Sequence, residues 1–337
     1  MAAQGELNWV NVLRAWSMAG VYLWHSEVYC GGDRILSVFI SPACMAVFFF
    51  VSGYLFFRKA HDAGQTQTWR HQFGNVFFRL VVPTMLFAAL LYVPKTLFHR
   101  QVASWAGFGF SVVGGTTFWF TSALALIQIS AIGLLWLMRL VNLSRRLTMA
   151  MMMVVGACLW LGFTQIHAPF NAFPWSFTSG MHYFIFFVLG GCFSASSLLN
   201  DYSRPRHPFL FVLPFVVYVV LSLFVGHPHA MLDHLLRLVA AMVGLACFVP
   251  LACLVPPSRW QTFVGRNSIA FYFLCGLMPA LLAFLFRHFG FEGGWAVPAV
   301  FLLSFMLSGC VSWLLRHCAP YLFDLRKLKP RSRLGMQ

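Results

Sequence analysis

The chain has 337 residues, of which 60% are hydrophobic and only 9% are charged, and its formal net charge is +15. Because average soluble proteins are about 25% charged, this composition excludes a soluble globular domain and indicates an integral membrane protein. A strong positive charge in a membrane protein is typical of basic cytoplasmic loops, so we expect no nucleic-acid partner.

Ten apolar runs, each of the length that a helix needs to cross a bilayer, follow one another along the chain. They predict an all-α fold, a polytopic membrane helix bundle with about ten transmembrane helices over residues 1–316 and a basic cytoplasmic tail over residues 317–337. The N-terminus lacks the features of a cleaved signal peptide, so the first run is expected to be a retained span. The predicted spans are 9–29, 40–57, 79–98, 117–138, 147–166, 180–199, 208–226, 232–255, 267–288 and 296–316.

The basic residues predict the orientation of these spans. Most of the 23 lysine and arginine residues fall in alternate loops and in the tail. Because basic loops stay in the cytoplasm, this bias predicts that both termini are cytoplasmic and that the number of spans is even. The nine cysteines form no CxxC pair, so neither a disulfide framework nor a zinc site is predicted, and no metal is expected.

The first span carries Arg14 and His25 in an otherwise apolar run. They are eleven residues apart, which is three helical turns plus about 20°, so they share one face at roughly 16 Å along the axis. Charged groups inside a membrane usually face the bundle interior and mark function. Arg14 near the cytoplasmic end is alternatively a snorkelling anchor, and His25 a hydrogen-bonded structural residue. Glu27 lies about 200° from His25 and is interpreted as interfacial.

The next segments combine aromatic runs with basic residues. The second span reads FFFVSGYLFF over residues 48–57, and the third begins FFRLVVPT at residue 77. The fourth span contains FWFTSALALI from residue 118, and the ninth contains VGRNSIAFYFLC from residue 264. The intervening loop is basic, which topology alone would explain. Its basic residues are Arg58, Lys59, Arg70 and Arg79.

A second polar cluster lies at the outer ends of the seventh and eighth spans. Asp233 and Arg237 are four residues apart and can pair on one helix face. Together with His227, His229 and His234, Asp233 could also bind a metal, although a polar loop or a contact with a substrate is the favoured interpretation. His182 and Tyr183 form a similar polar pair within the sixth span.

In their order along the chain, these motifs resemble the membrane acyltransferase-3 family, the O-acyltransferases that modify bacterial surface glycans. The match includes Arg14 and His25, the Ser-Gly-Tyr of residues 52–54, the Arg-Leu-x-x-Pro that begins at Arg79, and the late span with Tyr272. The length resembles the compact form without an extra periplasmic domain. The chain departs from the family at Asn11, where an acid is common, and at Val76 and Cys275, where arginine and histidine are common.

The resemblance implies acyl transfer, with acetyl-CoA as donor and a glycan or lipid-linked saccharide as acceptor, in the cell inner membrane. It implies a catalytic pair of His25 and Arg14, with His25 as the general base or as a transient acyl carrier. The basic loop is then expected to bind the phosphates of CoA through Arg79, Arg70, Arg58 and Lys59.

The resemblance also suggests an acceptor site, for which each residue has a structural alternative. Ser52 and Tyr54 would otherwise be helix-packing residues, and Trp119 an interfacial anchor. The expected substrate-binding residues are Ser52, Tyr54, Trp119, Asp233, Arg237 and Tyr272.

Two other classes of function remain as alternatives. In a transporter or flippase, His25 and Arg237 would be gating or proton-coupling groups, but no internal repeat of the kind common in transporters is found. A structural membrane subunit without catalysis would leave the intramembrane arginines and histidine unexplained.

Overall fold

The protein is helical throughout the part of the chain that the structure describes. This is a computed structural model, and it describes residues 8–31, 35–62, 69–98, 102–163, 173–195, 209–226 and 230–328. The α-helices are α1 Asn8–Cys30, α2 Ile35–Asp62, α3 Trp69–Val76, α4 Val82–Phe98, α5 Trp105–Val112, α6 Trp119–Leu140, α7 Arg145–Phe163, α8 Phe177–Ser194, α9 Phe209–Phe224, α10 Ala230–Leu254, α11 Arg259–Arg266, α12 Ser268–Leu274, α13 Leu277–His288 and α14 Ala296–Cys318. A π-helical turn, Phe77–Val81, joins α3 to α4 without interruption.

Each predicted span coincides with a helix or with a joined pair of helices. Among the described residues, seven helices are long and apolar enough to cross a membrane; α1 is not among them, and α12 and α13 meet the same criterion only together, as a bent pair. The helix α9 is shorter, with an apolar part over Val212–Phe224. The fold is therefore a multi-pass membrane bundle, as predicted, while the count of ten spans, the orientation and the division at residue 316 stay predictions.

The bend between α12 and α13 lies next to a proline. The axes of α12 and α13 differ by 42° across Cys275 and Gly276. Pro279, near the start of α13, has no N–H to donate to the carbonyl of Cys275 four residues earlier, so the backbone hydrogen bond that would cross this point is missing.

Glycines allow the central pair of helices, α2 and α8, to pack at backbone distance. A Cβ on Gly53 would collide with the backbone of Phe187, and a Cβ on Gly190 would collide with the backbone of Phe50. Such small-residue contacts are the usual way in which membrane helices approach closely. Fully buried phenylalanine rings on both helices complete this part of the core.

The two ends of the bundle differ in what they carry. We define the tail end as the end at which α1 begins and the segment after α14 lies, and the far end as the other. Arg316 near the end of α14 donates to the Arg266 carbonyl at 3.2 Å, and Gly265 packs on the backbone of Asn11. These contacts join α1, α11 and α14 at the tail end.

Candidate active site

A cavity of about 270 Å³ lies between the helices near the tail end. Arg14 and Met18 line it from α1, and Phe48 and Ser52 line it from α2. Gln72 and Asn75 of α3 and Arg79 of the π-helical turn form a polar side, and residues of α6 and α12 complete the lining. The remaining lining residues are Leu55, Phe56, Val76, Leu80, Phe120, Leu124, Gln128, Ser268 and Ile269.

Two arginines from distant parts of the sequence meet in this cavity. Arg79 stands at its edge, with 53% of its side chain exposed, whereas Arg14 enters from within the bundle. Among the described residues, the Arg14 guanidinium has no hydrogen-bond or ion-pair partner. A partly buried cation without a counter-charge is costly. The cavity therefore suits an anionic ligand.

The backbone around Arg79 departs from an α-helix for a reason readable in the sequence. Pro83 cannot donate to the carbonyl of Arg79 and would crowd it in a regular α-helix. The chain widens instead into the π-helical turn, in which the Val82 N–H bonds the Phe77 carbonyl five residues earlier. Such turns are frequent at functional sites, and this one carries Arg79 at the cavity.

The Ser-Gly-Tyr segment of α2 points its three residues in different directions. Ser52 lines the cavity, as expected of a site residue. Gly53 packs on the backbone of α8, so its lack of a side chain serves helix packing. Tyr54 is buried against Trp9, with ring centroids 4.9 Å apart, and lies outside the cavity lining. Of the three, only Ser52 can touch a ligand there.

Of the four basic residues of the predicted donor cluster, the three whose side chains are described do not all line the cavity. Arg79 lines the cavity, but Arg58 donates to the Tyr54 hydroxyl at 3.3 Å, and the exposed Arg70 stands over the Trp69 ring at 5.3 Å. The side chain of Lys59 lies outside the described residues. Arg14 is the other described arginine that lines the cavity with Arg79.

His25 lies towards the far end, outside the cavity lining. Its ring stacks on Tyr29 at 5.9 Å and meets Trp24 edge-on at 4.8 Å. Lys95 of α4 is near enough for its charge to act on the His25 ring. On α1 the cavity reaches Met18, which stops about 10 Å short of His25 along the helix axis. The turn between them holds Tyr22, which is fully buried and donates to the Phe271 carbonyl at 2.9 Å.

Trp119 and Tyr272 lie together at the far-end start of α6. The Phe120 N–H donates to the Tyr272 hydroxyl at 3.0 Å, while Phe120 itself lines the cavity. Trp119 packs against Tyr183 at 5.8 Å. Tyr272 is therefore placed to fix the start of α6 and, through it, Phe120.

A second polar group lies at the far end, where α8 and α10 begin. Arg237 donates to Asp233 at 2.8 Å, so the predicted pair forms. His182 stacks on His234 at 5.9 Å, and its buried Nε2 has no hydrogen-bond partner among the described atoms. His227 and His229 lie outside the described residues, and no group of three metal-binding side chains occurs within them.

Glu27 lies near the far end of α1, where its side chain is packed within the protein. It is only 3% exposed and accepts a hydrogen bond from the Leu36 N–H at 3.0 Å, while its interfacial position stays a prediction. Leu36 lies in the first turn of α2, where unpaired N–H groups favour an anion. The sequence feature that could have indicated this contact is an acidic residue shortly before the start of a helix.

Comparison with known proteins gives one match. A family model described as an acyltransferase domain matches residues 7–317, which is nearly the whole chain and includes every residue of the cavity. No curated protein and no solved structure matches the chain significantly.

Proposed function

The chain belongs to the acyltransferase-3 family, and we propose that this membrane acyltransferase moves an acetyl group from cytoplasmic acetyl-CoA to a glycan. The acceptor is a sugar hydroxyl of a cell-surface or lipid-linked saccharide, and the enzyme works in the cell inner membrane. The observation that carries this proposal is the Arg14 guanidinium, which lines the same cavity as Arg79 and has no counter-charge among the residues that the structure describes. The phosphates of CoA would supply the missing negative charge.

The cavity suggests how the donor is oriented. The nucleotide phosphates bind at Arg79 and Arg14, and the pantetheine arm points along α1 towards His25. The distance from Arg14 to His25 is roughly 16 Å. Because Val21 and Tyr22 fill the turn beyond Met18, these side chains must move for the arm to reach His25.

His25 carries the reacting end in this proposal, by one of two routes. As a general base, its neutral imidazole takes the proton of the sugar hydroxyl while that oxygen attacks the thioester carbonyl and the CoA thiolate leaves. As an acyl carrier, its ring nitrogen attacks the thioester first and the thiolate leaves; the sugar oxygen then takes the acetyl group, and the hydroxyl proton goes to the departing imidazole. Tyr29 and Trp24 hold the ring in either case.

The acceptor is proposed to bind at the far end, near Trp119 and the Asp233–Arg237 pair. An ion pair and an aromatic ring at a membrane boundary suit the hydroxyls and flat faces of a saccharide. Ser52 belongs to the donor side, because it shares the cavity with Arg14. Tyr272 acts indirectly through the start of α6.

The proposal predicts that Arg14→Gln weakens CoA binding by about 10- to 100-fold, the equivalent of one lost charge-assisted hydrogen bond of about 1.5–3 kcal/mol. Isothermal titration of the purified protein in detergent measures this. Arg146→Gln is the matched control, since it removes the same charge from an exposed site at the start of α7, outside the cavity lining. Wild-type affinity in a well-folded Arg14→Gln protein would contradict the donor site.

A further inference from the structure

The segment after α14 folds back onto the side of the cavity that carries Arg79. Two short helical turns, Pro320–Leu322 and Leu325–Leu328, flank Asp324. Arg326 donates from Nη1 to the Asn75 side-chain oxygen at 2.7 Å, and Arg79 donates from Nε to Asp324 at 3.4 Å. Asn75 and Arg79 both line the cavity, so this segment touches two lining residues from outside.

Asp324 connects the two arginines. Arg326 forms a bidentate ion pair with its carboxylate, donating from Nε to Oδ1 and from Nη2 to Oδ2, each at 2.8 Å. The backbone N–H of Arg326 adds a third bond at 3.2 Å, and the carboxylate is only 12% exposed. The side-chain hydrogen bonds from Arg326 lower the pKa of Asp324 to about 2, so the carboxylate is ionised at any physiological pH.

These contacts leave N–H groups of both Arg79 and Arg326 able to donate to a ligand. Asp324 takes only the Nε of Arg79, so the two terminal nitrogens of Arg79 remain able to donate as a pair. Arg326 keeps one N–H on each of its terminal nitrogens after its bonds to Asp324 and Asn75. Paired donors on a rigid plane are the geometry that recognises phosphate oxygens.

We propose that Arg326 is a further phosphate-binding residue of the donor site, and that Asp324 is a positioning residue that holds Arg326 and Arg79 side by side at the cavity. This inference rests on the proposed use of CoA as donor. Two arginines and one aspartate leave a net charge of +1 at the edge, to which Arg14 adds a second positive charge deeper inside. The segment after the last membrane helix is thereby part of the binding site.

The direction in which Asp324→Asn changes the affinity for CoA distinguishes a positioning role of Asp324 from a purely electrostatic one. If Asp324 acted only as a negative charge that competes with the donor, Asp324→Asn would tighten CoA binding. If Asp324 holds the arginines in place, the same substitution weakens binding although it makes the site more positive. We expect weaker binding, because the neutral amide no longer holds the guanidinium of Arg326 in a charged fork.

The experiment is a titration of CoA into the purified full-length protein and its variants. Arg326→Gln should raise the Kd about 10-fold or more, the loss expected for a charge-assisted hydrogen bond, and Asp324→Asn should raise it several-fold. The conservative variants Arg326→Lys and Asp324→Glu should each restore part of the affinity, which a merely misfolded tail would not show. Arg146→Gln controls for the general loss of positive charge at the tail end.

The outcomes distinguish this inference from the proposed function. Wild-type affinity in Arg326→Gln, or tighter binding in Asp324→Asn, overturns the assignment of the tail while CoA binding by the wild-type protein stands. Equal losses in Arg146→Gln and Arg326→Gln overturn it too, because the effect is then only long-range charge. A wild-type protein that does not bind CoA overturns the proposed donor and the inference together.

Discussion

Arg14 and His25 share one face of α1 but lie in different environments. Arg14 reaches a cavity at the tail end, whereas His25 lies among aromatic rings in the far half of the helix. They lie roughly 16 Å apart along this single helix, so the proposed donor site and the proposed reacting group lie at different levels of the bundle. Met18 belongs to the cavity and Tyr22 to the packed layer beyond it, so access to His25 depends on that layer.

The Asp324 contact predicts a defined pH response of the tail. Because its pKa is lowered from 3.8 to about 2, the stabilisation is fully present above pH 3.8 and is lost as the pH falls through about 2. Pepsin, which is active in acid, should cleave the segment around Asp324 slowly at pH 4 and faster towards pH 2. The Asp324→Asn protein should be cleaved quickly across this range, and wild-type cleavage that matched it at pH 4 would contradict a docked tail.

At the residue scale, the sequence indicates which side chains share a helix face but not what they pack against. Helical spacing put Arg14 and His25 on one face of α1; Arg14 lines the cavity, whereas His25 lies outside its lining. The spacing could not tell which residue of the Ser-Gly-Tyr segment faces the cavity, because Tyr54 finds its partner in Trp9, 45 positions away in sequence. The contact of Glu27 with Leu36 was not predicted for the same reason, since this partner belongs to the next helix.

At the scale of helices, two irregular points of the backbone each precede a proline. Pro83 follows the π-helical turn that carries Arg79, and Pro279 follows the break between α12 and α13. In both cases the proline lacks the N–H that would continue the ladder four residues back. The irregular backbone at Arg79 is therefore a local consequence of sequence, and it lies where the ligand is proposed to bind.

The close contact between α2 and α8 predicts a large effect from a small substitution. Gly190→Ala puts a Cβ against the backbone of Phe50 and should destabilise the protein by about 1–3 kcal/mol, as overpacking does. Thermal unfolding in detergent measures the shift. The matched control is Gly133→Ala in α6, where an added Cβ meets nothing within 4 Å and should be neutral or slightly stabilising. Equal melting temperatures for the two variants would contradict the glycine contact.

Helix positions were predictable because long apolar runs leave few alternatives in a bilayer. The π-helical turn was not predicted, although Pro83 marked its position. The two helical turns of the tail were not predicted either, because they are short and their contacts are with residues about 250 positions away. Tertiary contacts of this kind leave no periodic signal in the sequence.

The whole molecule has two chemically distinct ends. The tail end combines the cavity with Arg14, Arg79 and the docked segment, which suits a charged donor. The far end combines His25 with the Asp233–Arg237 pair and Trp119, which suits a neutral saccharide. This polarity agrees with the sequence-based prediction that the tail end is cytoplasmic, which remains a prediction.

The loss of glycan esters in a strain that carries His25→Ala tests this account most directly. The chromosomal gene is deleted and complemented with the wild-type gene or with His25→Ala, and mass spectrometry of the surface and lipid-linked glycans measures the esters. We predict that acetyl esters return with the wild-type gene and stay absent with His25→Ala, although the variant inserts into the membrane in equal amount. Full acetylation by an equally abundant His25→Ala protein would contradict the account, and unchanged esters with a blocked export of a glycan precursor would favour a transporter.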